Sequence, residues 1–416
     1  MIKYSIPDFG YGYSIEEICK QKKLQGNPYA TPKESSGGIG KSFKDKLAIV
    51  SHYLMNKRLG LQVNYGFEAE HIMQELASDK LAANGMAGEP HIVVSDMFSD
   101  FFKVPFLPKE DADFTFIDLF AGIGGFRLAM QAVGGKCIFS SEFNEPAQKT
   151  YFANYGDMPF GDITLEETKR YIPANFDVLC AGFPCQAFSI IGKQQGFADT
   201  RGTMFFEIQK ILQTHRPKAI FMENVKQLVT HDKGKTFKVI LGILADLGYH
   251  VKWKVLNALD FGVPQKRERV IIVGFLDAAK TELFSFDFDK KPYNLKNVLQ
   301  SDKEVDSSLF VSDRILQKRK DSTKDKKIFY PSIWHENKAG NISVLDYACA
   351  LRTGASYNYL LVNGYRRPSS RELLRFQGFP EEFRIVVSHQ EIRKQTGNSV
   401  AVPMMAEVAK RIKALL

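Results

Sequence analysis

The chain has 416 residues, of which 44% are hydrophobic and 12% aromatic, and a formal net charge of +9. This composition supplies a core for two or three domains and excludes global disorder. No apolar run approaches the roughly 18 residues of a membrane span. No signal-peptide pattern opens the chain, and the five scattered cysteines include no CxxC pair. The expectation is a soluble cytoplasmic protein with reduced thiols, no metal, no membrane partner and a polyanionic ligand.

Residues 1–113 read as an N-terminal extension. A Gly/Ser/Pro-rich stretch at 26–42 precedes two helical patterns, Phe43–Arg58 and Phe67–Ala77. Residues 1–112 carry 13 Lys+Arg against 14 Asp+Glu, so the basic excess lies elsewhere in the chain. From Phe114 strands and helices alternate. FTFIDLF (114–120), KCIFSSEF (136–143), FDVLCAGF (176–183), KAIFMENV (218–225), YHVKWKVLNAL (249–259) and RVIIVGFL (269–276) are strand candidates. Phe205–Gln213 and Phe237–Leu247 are helical between them. This alternation predicts an α/β domain over 114–276, a mostly parallel Rossmann-like sheet with helices on both faces. Residues 277–366 are polar and irregular, with seven Lys/Arg between Arg314 and Lys327, and read as a smaller separate domain. Helical pattern returns in 367–416, at Arg371–Phe376 and Val400–Leu416.

FAGIGGF (120–126) ends the first strand and opens a helix, where glycines let a ligand approach the backbone. The second strand ends at Glu142, placed to accept hydrogen bonds from a ribose, and Asp162 follows at the next edge. Without GxGxxG, a nucleoside lacking pyrophosphate, such as S-adenosylmethionine, fits better than a nicotinamide dinucleotide. Cys185 in GFPCQ stands just past the third strand and before a polar stretch, 189–203, suited to a closing loop. A lone cysteine is more often a buried small hydrophobe, but this position favours a nucleophile. Glu223, in FMENV with no evident nearby partner, is a candidate proton donor. Arg267 and Arg269 in QKRERV could anchor a carbonyl oxygen or phosphate and lower the thiol pKa; the plainer reading is a surface charge cluster.

The ordered blocks FIDLFAGIGG, SSEFN, GDI, GFPCQAFS, FMENV, QKRERV, RELLRFQGFP and GNSV resemble the C5-cytosine DNA methyltransferases, most of all the HhaI-type bacterial modification enzymes. The resemblance covers about 114–276 and 350–416 and leaves 1–113 outside. It implies that Cys185 attacks C6 of a cytosine flipped out of duplex DNA. Glu223 would hydrogen-bond N3 and the exocyclic amine, Asn224 order the turn carrying it, Arg269 contact O2, and Arg267 support the cysteine and the nucleotide backbone. The implied cofactor is S-adenosylmethionine, giving S-adenosylhomocysteine. Phe120 and Gly122 would lie beside it, Glu142 on its ribose, Asp162 at the adenine amine, Phe143 and Ile163 on the adenine ring, and Asn398, Ser399 and Val400 at the methionine end. The resemblance implies that Phe143 stands where the HhaI-type enzyme carries Trp. The last helix must then fold back onto the first strand.

Residues 277–366 would form the target-recognition domain, its basic run gripping phosphates. Base reading would fall to 350–358, with Arg352 suited to guanine, Asn358 to adenine, and Thr353, Gly354 and Ser356 at the DNA. Gln186 and Ser189 would touch DNA from the loop. Relatives carry Thr-Leu where this chain has Ala350-Leu351. The implied context is a monomeric modification enzyme with a companion restriction endonuclease. Two further readings remain: a transfer-RNA cytosine methyltransferase, and a methyltransferase whose extension regulates transcription. The near-neutral charge of 1–112 weighs against the latter.

Overall fold

The computed structural model describes residues 42–83, 99–184 and 204–416. Seven strands occupy the predicted α/β region: β1 (Phe114–Leu119), β2 (Gly135–Ser141), β3 (Val178–Gly182), β4 (Ala219–Val225), β5 (His250–Asn257), the two-residue β6 (Gln265–Lys266) and β7 (Glu268–Phe275). All but β6 form one sheet in the order β2-β1-β3-β4-β7-β5. The β2–β1, β1–β3 and β3–β4 pairs are parallel, and β7 runs antiparallel to both neighbours. β1, β3 and β4 are buried almost throughout, as strands covered on both faces must be.

Side chains alternate between the faces. Ile117, Leu119, Leu179 and Ile220 point to one core, shared with α1 (Phe43–Arg58), α2 (Gly66–Ala83), α6 (Met204–His215) and α7 (Lys235–Asp246). Phe116, Cys180, Phe221 and Val273 point to the other, against Phe126 and Met130 of α3 (Gly125–Ala132) and Met404, Met405, Val408 and Ile412 of α12 (Val402–Lys413). The C-terminal helix thus lies on the first helix after β1. Cys137 and Cys180 are buried in this second core as small hydrophobes.

The extension is built into the first core. Leu47, Ile49, Val50, Ile72 and Leu76 share one cluster with Phe139, Phe160 and Ile163. Ser42 caps α1 by accepting the Asp45 N–H at 3.2 Å.

The polar segment 277–366 holds a small antiparallel sheet, β11-β8-β9, made of β8 (Ile333–Glu336), β9 (Ile342–Leu345) and β11 (Leu360–Val362). β10 (Ala348–Cys349) pairs in a separate two-stranded sheet with β6, next to the start of β7 in the chain. The basic run forms α9 (Asp313–Asp321). The remaining helices are α4 (Glu145–Tyr155), α5 (Glu166–Lys169), α8 (Ala278–Leu283), α10 (Ser370–Arg375) and α11 (His389–Asn398).

Candidate active site

Parallel strands end on the same side of a sheet, so the segments after β1, β2, β3 and β4 all open on one edge. In register, Leu119 lies opposite Ala181, and Gly182 opposite Glu223. Because β7 is antiparallel, its beginning lies beside the end of β4, with Val225 opposite Arg269. Topology therefore gathers residues 120–122, 142, 182–184, 223 and 269 from five strands.

Glu223 is buried, and its Oε1 lies 2.7 Å from Arg269 Nε. The acid that looked solitary in sequence has an arginine partner from the neighbouring strand. Asn224 donates through Nδ2 to the Phe183 carbonyl at 2.8 Å, which fastens β4 to the turn leading into Pro184. Cys185, Gln186 and Ser189 lie outside the described residues.

Arg267 has a different setting. It is fully buried and donates to the carbonyls of Leu351 (3.2 Å), Gly397 (3.1 Å) and Ser399 (2.5 Å). Burial and the nearby Arg269 pull its pKa down to about 9, still above neutral, so the charge stays. This arginine braces the 350s loop and the end of α11. Gln265, which carries no signal of its own in the sequence beyond its place beside the arginine pair, does related work. It is fully buried, donates to the Phe376 carbonyl at 2.5 Å and accepts the Leu351 N–H at 3.0 Å.

At the other end, Glu142 accepts the Gly122 and Asn144 N–H groups, each at 2.8 Å. Burial raises its pKa, and these N–H groups oppose the rise. A carboxylate so held retains lone pairs for hydroxyl donors. Phe143 is 62% exposed, a bare aromatic face, while Ile163 is only 3% exposed. Asp162 is exposed, and one of its oxygens accepts the Thr164 N–H at 2.9 Å. Phe120 and Gly122 both take left-handed backbone, with φ of 54° and 57°. A Cβ on Gly122 would meet nothing within 4 Å, so this glycine leaves open space. Gly125 does the opposite: a Cβ there would stand 2.7 Å from Val400 Cγ2 and 3.1 Å from Ser399 Oγ. One glycine of FAGIGGF leaves open space and another admits the returning C-terminus. Ser399 and Val400 are buried and Asn398 is exposed. Asp118, the acid of β1 just before the glycine turn, is fully buried, and burial pushes its pKa well up. An open glycine, a held carboxylate and an exposed ring suit a ribose and an adenine, the nucleoside part of S-adenosylmethionine.

On the recognition side, Arg352, Thr353, Gly354 and Ser356 are exposed. The Arg352 guanidinium lies 5.1 Å from the Tyr359 ring centre. Asn358 is engaged: its Oδ1 accepts from Arg367 Nε at 2.8 Å, and its carbonyl from Arg319 Nη2 at 2.6 Å. These bonds fasten the loop, and the Asn358 amide keeps its nitrogen and a second oxygen lone pair for a base edge. Arg319 turns inward. It is buried, paired with Glu336 at 2.6 Å, and not part of a solvated phosphate grip.

The family model for the C-5 cytosine-specific DNA methylases matches residues 114–414. The chain belongs to this family. This methyltransferase is 54% identical to the type II methyltransferase M.HaeII of Haemophilus aegyptius over 297 residues, 70% of this chain and 91% of that protein. It is 52% identical to M.NgoBI of Neisseria gonorrhoeae, over 72% of this chain and 93% of that one. M.HhaI of Haemophilus parahaemolyticus is 38% identical, over 74% and 97% of the respective chains. Among solved structures, the S. pombe Dnmt2 methyltransferase aligns with TM-score 0.54 at 20% identity, covering 73% of this chain and 98% of that one. The Spodoptera frugiperda DNMT2 mutant aligns with TM-score 0.55 at 18% identity, covering 72% and 99%. These two likenesses speak for the methyltransferase fold alone. Among the described residues, no helix is long and apolar enough to cross a membrane.

Proposed function

We propose that this enzyme methylates C5 of a cytosine within a specific duplex DNA site, as the monomeric, cytoplasmic modification partner of a type II restriction endonuclease. The observation that carries the reading is the single sheet edge shared by the Glu223–Arg269 pair, the turn into Pro184, and the Gly122–Glu142 hydrogen bond.

When bound, S-adenosylmethionine supplies the methyl group, leaving as S-adenosylhomocysteine. Phe120, Gly122, Glu142, Phe143, Asp162 and Ile163 hold its nucleoside, and Asn398, Ser399 and Val400 its methionine end. Cytosine must leave the stack to expose C6, at a cost of about a few kcal/mol. The Cys185 thiolate adds to C6 while Glu223 hydrogen-bonds N3 and Arg269 holds O2, which limits charge on the ring. The electron pair pushed to C5 forms the new carbon–methyl bond. Loss of the C5 proton to a base and expulsion of the thiolate restore the aromatic ring and the free enzyme. Arg267 serves this site by bracing the segments around it. Arg352 and its exposed neighbours Thr353, Gly354 and Ser356 face the bases, joined from the loop by Gln186 and Ser189.

Bisulfite sequencing of plasmid DNA treated with the purified protein tests the reading, with transfer RNA as a parallel substrate. Protected cytosines in one duplex sequence context are expected. Methyl transfer to transfer RNA alone would overturn it.

A further inference from the structure

The extension lies outside the family match, which begins at residue 114, yet α1 is bonded to the part of the sheet that carries the nucleoside pocket. β2 is one of the two edge strands of the large sheet, with β1 on one side and, among the described residues, an isolated bridge to Phe160 on the other. An edge strand leaves a row of backbone groups that need partners when buried. Side chains of α1 provide them. Asn56 Nδ2 donates to the Ile138 carbonyl at 3.1 Å. His52 Nε2 accepts the Ser140 N–H at 3.2 Å, while its Nδ1 faces the Ala48 carbonyl at 3.1 Å. That pairing gives the ring its proton on Nδ1 and its lone pair on Nε2. Ser51 Oγ accepts the Met158 N–H at 2.9 Å.

These contacts lie one step from the pocket. Phe160 N–H donates to the Ser140 carbonyl, and Glu142 N–H to the Phe160 carbonyl, each at 2.9 Å. The His52 ring lies against Phe160, centres 4.6 Å apart, two and three residues before Asp162 and Ile163. Lys44, at the start of α1, stands within electrostatic reach of Glu142 and Glu145. His52, Asn56 and Ser51 thereby fix both rims of the adenosine pocket relative to each other.

We infer that helix α1 is a working part of the cofactor site, with His52, Asn56 and Ser51 as positioning residues that set Glu142 and the 160–163 segment for the nucleoside. The inference rests on the cofactor placement proposed above. It gives the extension a role in cofactor affinity that neither a DNA-binding module nor a passive appendage would have.

Calorimetry of S-adenosylhomocysteine binding, together with steady-state kinetics on full-length variants, tests it. Asn56→Ala and His52→Ala should each weaken cofactor affinity about three- to tenfold, the scale of one hydrogen bond. KM for S-adenosylmethionine should rise with it, while kcat at saturating cofactor and KM for DNA stay near wild type. His52→Gln, whose amide oxygen can accept the Ser140 N–H, should recover most of the affinity. If His52→Ala does not fold, His52→Gln and Ser51→Ala carry the comparison. Variants that lower the melting temperature but keep wild-type cofactor affinity would overturn the inference. Glu142→Ala separates the two levels. If it binds cofactor normally, the pocket assignment and the inference fall together; if it alone loses binding, only the role of α1 falls.

Discussion

Arg267 and Arg269 stand two residues apart, a spacing that puts side chains on one face of a continuous strand. The strand is not continuous: β6 ends at Lys266 and β7 begins at Glu268, so the two guanidiniums part company. One turns inward to three carbonyls and the other meets Glu223. The paired arginines were legible in the sequence; the break between them was not, because a two-residue strand leaves no periodicity to read. The split makes opposite predictions. Arg267→Ala leaves buried carbonyls without donors, at about 1–3 kcal/mol each, so thermal denaturation should show a large drop in stability. Arg269→Ala should melt near wild type but turn over far more slowly. Glu223→Gln keeps the shape of the side chain and cannot donate a proton to N3 as an acid does. Its kcat should fall about 10²–10⁴-fold with cofactor affinity unchanged, and a fall below about threefold would make Glu223 a structural residue.

At the scale of elements, the central strands of the large sheet were readable because burial on both faces writes continuous apolar runs, whereas β5 is largely exposed and carries no such run. The two helices of the extension were readable from their spacing, but their purpose was not: His52 and Asn56 look like ordinary polar positions until β2 is seen beside them. His52 is fully buried, and burial holds its pKa below the ordinary 6.5 despite the opposing pull of Asp157; Arg127 adds to the lowering. Below 6.5 the unfolded chain therefore binds more protons than the folded one, and stability falls on acidification through that window. His52→Gln removes this dependence. Its melting temperature should lie below wild type near neutral pH, and the gap should narrow as pH drops by about two units. In the recognition domain, strands of two to four residues escaped sequence reading, and in the C-terminal segment so did the polar helix α11. The basic run showed charge but not α9, since 277–366 reads as irregular, nor that Arg319 turns inward while Lys318 stays exposed. Lys318→Ala with Lys320→Ala should weaken binding to cognate and scrambled duplexes alike. The slope of log K against log salt should drop by about 0.9 for each phosphate no longer neutralised. Arg319→Ala should instead erode discrimination between the two duplexes, because it releases the Asn358 carbonyl and the loop that carries Arg352.

Across the whole molecule, three distant stretches of chain converge on β1 and β2: α1 from the extension, α3 after the glycine turn, and α12 from the end. The resemblance indicated that the C-terminus must return, since its methionine-end residues are remote in sequence from the glycine turn. It could not show how tightly the return is fitted. Gly125 is the fitting point, because a Cβ there would press on Val400 Cγ2 and Ser399 Oγ. Neither neighbour can retreat easily: Val400 belongs to the core beside Met404 and Met405, and the Ser399 carbonyl is held by Arg267. Gly125→Ala should therefore displace the 398–400 segment, costing about 1–3 kcal/mol as overpacking does. Because that segment would hold the methionine end of the cofactor, the damage should reach ligand binding as well as stability. In wild type, S-adenosylhomocysteine at about 100 times its dissociation constant adds about 2.7 kcal/mol of stability, which shifts the melting temperature by several degrees. In Gly125→Ala the unliganded protein should melt lower and the same ligand concentration should raise it less. A variant that melts lower but keeps the full ligand-induced shift would show that the C-terminal return supports the fold without shaping the pocket.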